Sequence, residues 1–284
     1  LLENLLNDDM GAGLNTRGVE PPNGVGHDLV HISDSAKGVR VILMSDPLDR
    51  NALVEALRAP LRRSLEKAYA DPDIRAIVIG GAGKNFSVGG DLLQLAELKA
   101  GQASHARMKS VGDVALLVRN GAKPIVAAVT GHCLGAGAGL ALLCDTIVMG
   151  HSAAIGFPFL RIGLVPDFGV SHTLAERIGA PAARQALLFA KTFRASDALA
   201  VGLVDEIVDD GLVHTRALEL AATLAEFPAY AMGLTRQILR ANGGTLESDL
   251  HREAAYQAIC LGSADVQEGV AAFREKRKAD FIRS

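Results

Sequence analysis

The sequence predicts an α/β body with parallel strand pairing, followed by a helical C-terminal appendage. Short apolar runs alternate with helical patterns over the first two thirds of the chain, as buried parallel strands with crossover helices do. The strand signal then fades from about Pro181, except at Val204-Asp-Glu-Ile-Val208. The chain has 284 residues and 49% hydrophobic content, enough for a large core.

The elements follow in order. Residues 1–25, rich in Asn, Gly and Pro, read as a flexible tail without a secretory pattern, and Met10 is a possible native start. Residues 26–205 form the expected core. Val39–Met44 reads as a buried strand, and Asp46–Asn51 as a turn cluster. Leu53, Leu57, Leu61 and Leu65 recur at helical spacing, and Asp71-Pro72-Asp73 ends that helix. Ala76–Ile79 is a strand ending in Gly80-Gly81. Two helical segments then run to about Asn120. Pro124–Thr130 is a strand, Gly131–Leu143 leads into a short helix, and Thr146–Met149 is a strand again. Residues 206–284 form the expected helical region. Apolar spacings recur there at Val213, Ala217, Leu220 and Leu224, then at Leu246, Leu250 and Ala254, then at Val266, Val270 and Phe273. The last helix places Asp265 and Glu268 early and Lys276, Arg277 and Lys278 late, matching the helix dipole.

Composition argues against several functions. A net charge of −3 and 4% aromatics offer neither a basic footprint nor stacking platforms for nucleic acid. No run approaches the ~20 apolar residues of a membrane span. Cys133, Cys144 and Cys260 lack zinc spacing and read as buried, inert thiols in a reducing cytoplasm. Gly80–Lys84 is no phosphate loop, because Val78 and Asn85 stand where Gly and Ser/Thr are needed. Gly135–Gly139 is no dinucleotide fingerprint, because its third glycine position is Leu140. No Gly-x-Ser-x-Gly elbow occurs. His132 and His172 lie near the glycine loops and read as structural.

Two segments carry more chemistry: Lys84–Leu92 and Gly131–Leu140. Each follows a buried strand and leads into a helix. Their glycines permit close backbone approach, and first-turn amides have no internal partner. They form either two tight turns or a pair of N–H donors aimed at one oxygen.

Phe86-Ser-Val-Gly-Gly-Asp-Leu92 and Gly131–Leu140 resemble the two signatures of the crotonase (enoyl-CoA hydratase/isomerase) superfamily. Pro47–Ala52, Ile162–Gly169 and Phe273–Lys278 resemble three further segments of that family, in order and spacing from about His27 to Phe281. The resemblance implies a spiral of strand-strand-helix repeats with a C-terminal helical trimerisation region, as a homotrimer or homohexamer. It implies an acyl-CoA thioester substrate and no separate cofactor or metal. The thioester oxygen would sit between the amides of Gly90 and Ala136. Arg50, Ser87, Val88, Gly89, Asp91, Leu92, Gly135, Gly139, Phe159 and Phe168 fall at substrate-binding positions.

Hydratases of that family carry two glutamates, and the matching positions here are Gly139 and Phe159. Asp167 stands where family members that shift double bonds place an acid. It is either the proton carrier or the cap of the helix beginning near Val170. The resulting expectation is an enoyl-CoA isomerase. The alternatives are a hydratase of fatty-acid or related acyl-CoA degradation with rearranged acids, another crotonase reaction such as thioester hydrolysis or retro-aldol cleavage, and a non-catalytic acyl-CoA-binding homologue.

Overall fold

The computed structural model describes residues 29–281 apart from 36, 242 and 243. The expected tail at 1–25 lies outside the described residues. Among the described residues the body is built on nine strands: β1 (Val30–Ser35), β2 (Val39–Met44), β3 (Ala76–Gly81), β4 (Ile125–Val129), β5 (His132–Leu134), β6 (Thr146–Gly150), β7 (Ala154–Gly156), β8 (Thr192–Arg194) and β9 (Glu206–Val208). Six of them form one sheet in the order β1-β2-β3-β4-β6-β9, and three form a second in the order β5-β7-β8. All pairings of the large sheet are parallel except β1 with β2. The chain runs from β4 into β5 and from β6 into β7, so each of these units crosses from the large sheet to the small one. This gives the strand-strand-helix spiral.

The centre of the large sheet is buried on both faces because β3, β4 and β6 are apolar at nearly every position, not only alternate ones. On one face Ile77, Ile79, Ile125, Ala127, Val129, Ile147 and Met149 pack with Leu57, Leu61 and Leu65 of helix α1 (Glu55–Ala70). The opposite face presents Ala76, Val78, Val126, Ala128 and Val148. Small Ala residues of a later helix, Val213–Ala225, close over that face through Ala217, Ala221 and Ala222.

Between these lie α2 (Leu92–Glu97), α3 (Gln102–Asn120), α4 (Ala136–Leu142), α5 (Val170–Ile178), α6 (Ala180–Leu188) and α7 (Ala195–Ala200). Helix Val213–Ala225 is α8. It is followed by α9 (Ala229–Arg240), α10 (Leu246–Leu261) and α11 (Ala264–Glu275). The boundary expected at 205/206 falls just before β9, which pairs with β6 inside the large sheet. Since α8 also covers that sheet, the helices beyond the body begin at Ala229.

Three departures from the sequence expectations have local causes. Strand β1 is mostly exposed and carries polar side chains, so it lacks the apolar run that marks its neighbours. Helix α9 buries only Gly233, Leu234 and Arg236, a pattern without an apolar stripe. Cys133 and Cys144 are buried, whereas Cys260 is only partly so.

Helix α9 is held to the body by charge. Arg236 is 4% exposed, and its Nε donates to Asp145 Oδ1 at 2.8 Å. A second N–H donates to the Gly121 carbonyl. Asp145 also accepts the Ile125 amide at 2.7 Å, pinning the start of β4. Removing one partner of a buried pair leaves an uncompensated charge. Asp145→Ala should therefore lower the unfolding free energy by about 3 kcal/mol, read from a urea midpoint with unchanged slope. A loss below about 1 kcal/mol would show that α9 docks without this pair.

Candidate active site

Three chain segments lie edge to edge at one end of the sheets. The first is the turn before α1. Buried Asn51 accepts from the Asp46 amide at 2.9 Å, and its own amide donates to the Asn85 carbonyl at 2.8 Å. The second is the loop 86–91. Val88 N–H donates to Arg50 O at 2.9 Å, and Leu53 N–H donates to Gly89 O at 2.7 Å. The Ser87 hydroxyl donates to Asn51 O at 2.7 Å and accepts from Gly89 N–H at 3.1 Å. The third is the segment 131–136. Ser87 N–H donates to His132 O at 3.0 Å, and Leu134 N–H donates to Ser87 O at 2.9 Å. Loop 86–91 is thus a short strand sewn between the other two.

Glycine is needed where the second and third segments meet. Gly89 has φ +88°, and a Cβ there would lie 2.6 Å from Leu134 O and 3.2 Å from Ala136 N. A Cβ on Gly137 would lie 2.6 Å from Ser87 O. Either would push the loops apart. Held together, they bring the backbone of Gly90 and Ala136 to one cavity. Neither amide donates a hydrogen bond to any described residue. Ala136 opens α4, where the free first-turn amide also carries the positive end of the helix dipole. Asp91 turns away: its carboxylate caps α2 by accepting from Leu93 and Gln94 amides at 2.9 and 3.1 Å.

The cavity measures about 510 Å³ and is mostly apolar. Of the residues expected around substrate, Val88, Gly90, Leu92, Gly135, Ala136, Phe159, Asp167 and Phe168 line it. Arg50, Ser87, Gly89, Asp91 and Gly139 do not. Ser87 and Gly89 are consumed in the loop seam. Gly139 is sealed beneath Phe168, whose Cβ would sit 2.5 Å from a Cβ on Gly139. Phe168 is buried at φ +53°, a left-handed conformation costing about 1 kcal/mol for a residue with a Cβ. The Phe159 ring covers Gly135. Neither histidine near the loops lines the cavity. His132 is held below the usual imidazole range by burial, and His172 is exposed beside Glu176.

Asp167 is the only carboxylate among the described residues lining the cavity. It caps nothing: Gly169 is the N-cap of α5, with no side-chain bond there. Its Oδ1 is buried without a hydrogen-bond partner. Burial pushes the acid above the usual carboxylate range, partly offset by Arg107, its own backbone amide and Arg58. Sequence reasoning passed over helix α3. Ser104, Arg107, Met108 and Val111 all line the cavity at i, i+3, i+4 and i+7. That spacing was the available signal, and the charge within it hid the face. Among the described residues no cluster of His, Cys, Asp or Glu could hold a metal ion. No described helix is long and apolar enough to cross a membrane.

Comparison with known proteins places this geometry. The family described as enoyl-CoA hydratase/isomerase matches residues 34–283. The 2,3-dehydroadipyl-CoA hydratase of Escherichia coli strain K12 is 33% identical over 251 residues, spanning 86% of this chain and 94% of its own. The 1,2-epoxyphenylacetyl-CoA isomerase of the same organism is 33% identical over 254 residues, spanning 88% and 97%. The solved enoyl-CoA hydratase of Bacillus anthracis superposes with a TM-score of 0.85 at 26% identity, covering 90% of this chain and all of that one. Two free amides held at an apolar cavity by two glycine loops, on this spiral of strands, identify the chain as a member of the crotonase superfamily, in the enoyl-CoA hydratase/isomerase family.

Proposed function

We propose that this protein is an enoyl-CoA isomerase with Asp167 as its proton carrier. The observation that carries this reading is the single desolvated carboxylate in the cavity. A double-bond shift needs one base. Asp167 takes a proton from carbon 2 of a 3-enoyl thioester. The electron pair delocalises through the double bond onto the thioester oxygen as a dienolate. The amides of Gly90 and Ala136 stabilise that oxygen, and the proton returns at carbon 4 to leave the 2-enoyl product. Adding water would instead need acid and base groups held around it. The two positions that hold glutamates in hydratases are here a phenylalanine and a glycine with no room above it. The likeness to the 1,2-epoxyphenylacetyl-CoA isomerase supports the isomerase class. A hydratase using Asp167 alone is the second reading, favoured by the likeness to the dehydroadipyl-CoA enzyme.

The deciding experiment compares 3-enoyl-CoA and 2-enoyl-CoA substrates with product identification. Asp167→Asn should lower isomerisation by about 10²–10⁴ and leave acyl-CoA affinity nearly unchanged. A fully active Asp167→Asn protein, or fast hydration with no double-bond shift, would reject the proposal.

The raised pKa of Asp167 adds a pH signature. Activity should rise with pH along a limb displaced above the ordinary carboxylate range, because the base must be ionised. Stability has the opposite sign. The folded chain holds the Asp167 proton more tightly than the unfolded chain. Its contribution is therefore full below the ordinary carboxylate value and is lost as pH rises through the raised one. Asp167→Asn should then melt no lower than the parent at neutral pH. A clear drop in melting temperature would mean that the carboxylate has a structural partner.

We also propose a homotrimer or a pair of trimers. Helix α10 buries none of its residues, and Leu246, Leu250 and Leu261 are each more than half exposed, as is Phe273 of α11. Large apolar side chains exposed together on the terminal helices suit burial against further copies of the chain. Light scattering at micromolar concentration should give three or six chains, and a monomer would contradict this.

A further inference from the structure

Arg107 is the feature of the cavity that isomerisation does not use. It sits on α3 beside Ser104, Met108 and Val111, facing a lining that is otherwise almost wholly apolar. Other arginines in this region have protein acceptors. Arg58 donates to Leu53 O and Glu55 at 2.6 Å each, and Arg119 donates to Glu176 at 2.7 Å. The Arg107 guanidinium is half-buried and makes no hydrogen bond or ion pair with any described residue. It is near enough to Asp167 and Arg58 for their charges to interact, yet Asp167 Oδ1 remains unpartnered. A guanidinium presents five N–H donors in a planar fork suited to a carboxylate. Setting one on an apolar wall without an acceptor costs hydration, unless the ligand brings the acceptor.

We infer that Arg107 is a specificity residue that reads a carboxylate at the far end of the acyl group, so that the preferred substrates are CoA thioesters of dicarboxylic acids. The other anion in such a ligand is phosphate. Lys99, exposed on the same cavity wall, is the better match for a phosphate, which stays hydrated. Arg107 lies instead within the field of Asp167, where the acyl chain must pass for its carbons to meet that base. This inference rests on the acyl-CoA reading above but not on isomerisation.

The test is therefore a binding measurement on unreactive ligands. Calorimetry would compare CoA, a saturated acyl-CoA ending in methyl, and one of the same chain length ending in carboxylate. The parent should bind the carboxylate-ended thioester about 10- to 100-fold more tightly than the methyl-ended one, the range for hydrogen bonds to a charged group. Arg107→Leu should abolish or invert that preference while leaving CoA affinity and melting temperature unchanged. Arg107→Lys should retain part of it. Absence of a carboxylate preference in the parent overturns the inference alone. So does an Arg107→Leu protein weakened equally toward all three ligands, which would assign Arg107 to phosphate. Failure of every CoA ligand to bind overturns both this inference and the acyl-CoA reading. An active Asp167→Asn protein with the carboxylate preference intact would sink the isomerase proposal and leave this one standing.

Discussion

The whole arrangement depends on how closely loop 86–91 can approach the segment 131–136. Two main-chain hydrogen bonds set that separation: Ser87 N–H donates to His132 O, and Leu134 N–H donates to Ser87 O. It is possible only because Gly89 and Gly137 lack side chains at the seam. Asn51 and the Ser87 hydroxyl lock the outer edge of the loop with bonds to backbone. The consequence is two rigid, unspent amides at one cavity. Preorganised donors of this kind act without reorganising when charge develops on an oxygen, which makes them effective in a water-poor site.

The same cavity balances two opposed charges against an apolar wall. Asp167 is raised by loss of water, and Arg107 and Arg58 pull it back down. Phe168, next in sequence, turns through a left-handed backbone to seal Gly139. The loop thus exchanges a possible acid at position 139 for a packed ring and keeps its one carboxylate desolvated. The left-handed backbone at Phe168 costs about 1 kcal/mol of local strain.

Much of this was legible in the residues. The central strands of the large sheet announced themselves because both faces are buried, which forces unbroken apolar runs such as Ile125–Val129. The glycine loops were visible because close backbone approach demands glycine. Strand β1 was hidden by its exposure, and the three-residue strands of the small sheet were too short to carry a period. The role of Asp167 stood open between base and cap. Sequence cannot say which residue occupies the N-cap of α5, and that residue proves to be Gly169. Arg107 was hidden for another reason: a charged residue within an amphipathic helix reads as solvent-facing until tertiary packing turns it toward a cavity.

The central claim is that the Gly90 and Ala136 amides bind one thioester oxygen. It is tested most directly by a crystal structure with a non-isomerisable acyl-CoA analogue bound. The account predicts the thioester oxygen within about 3.1 Å of both backbone nitrogens, with the acyl chain running past Asp167. A thioester oxygen bonded to neither amide, or pointing to solvent, would contradict it.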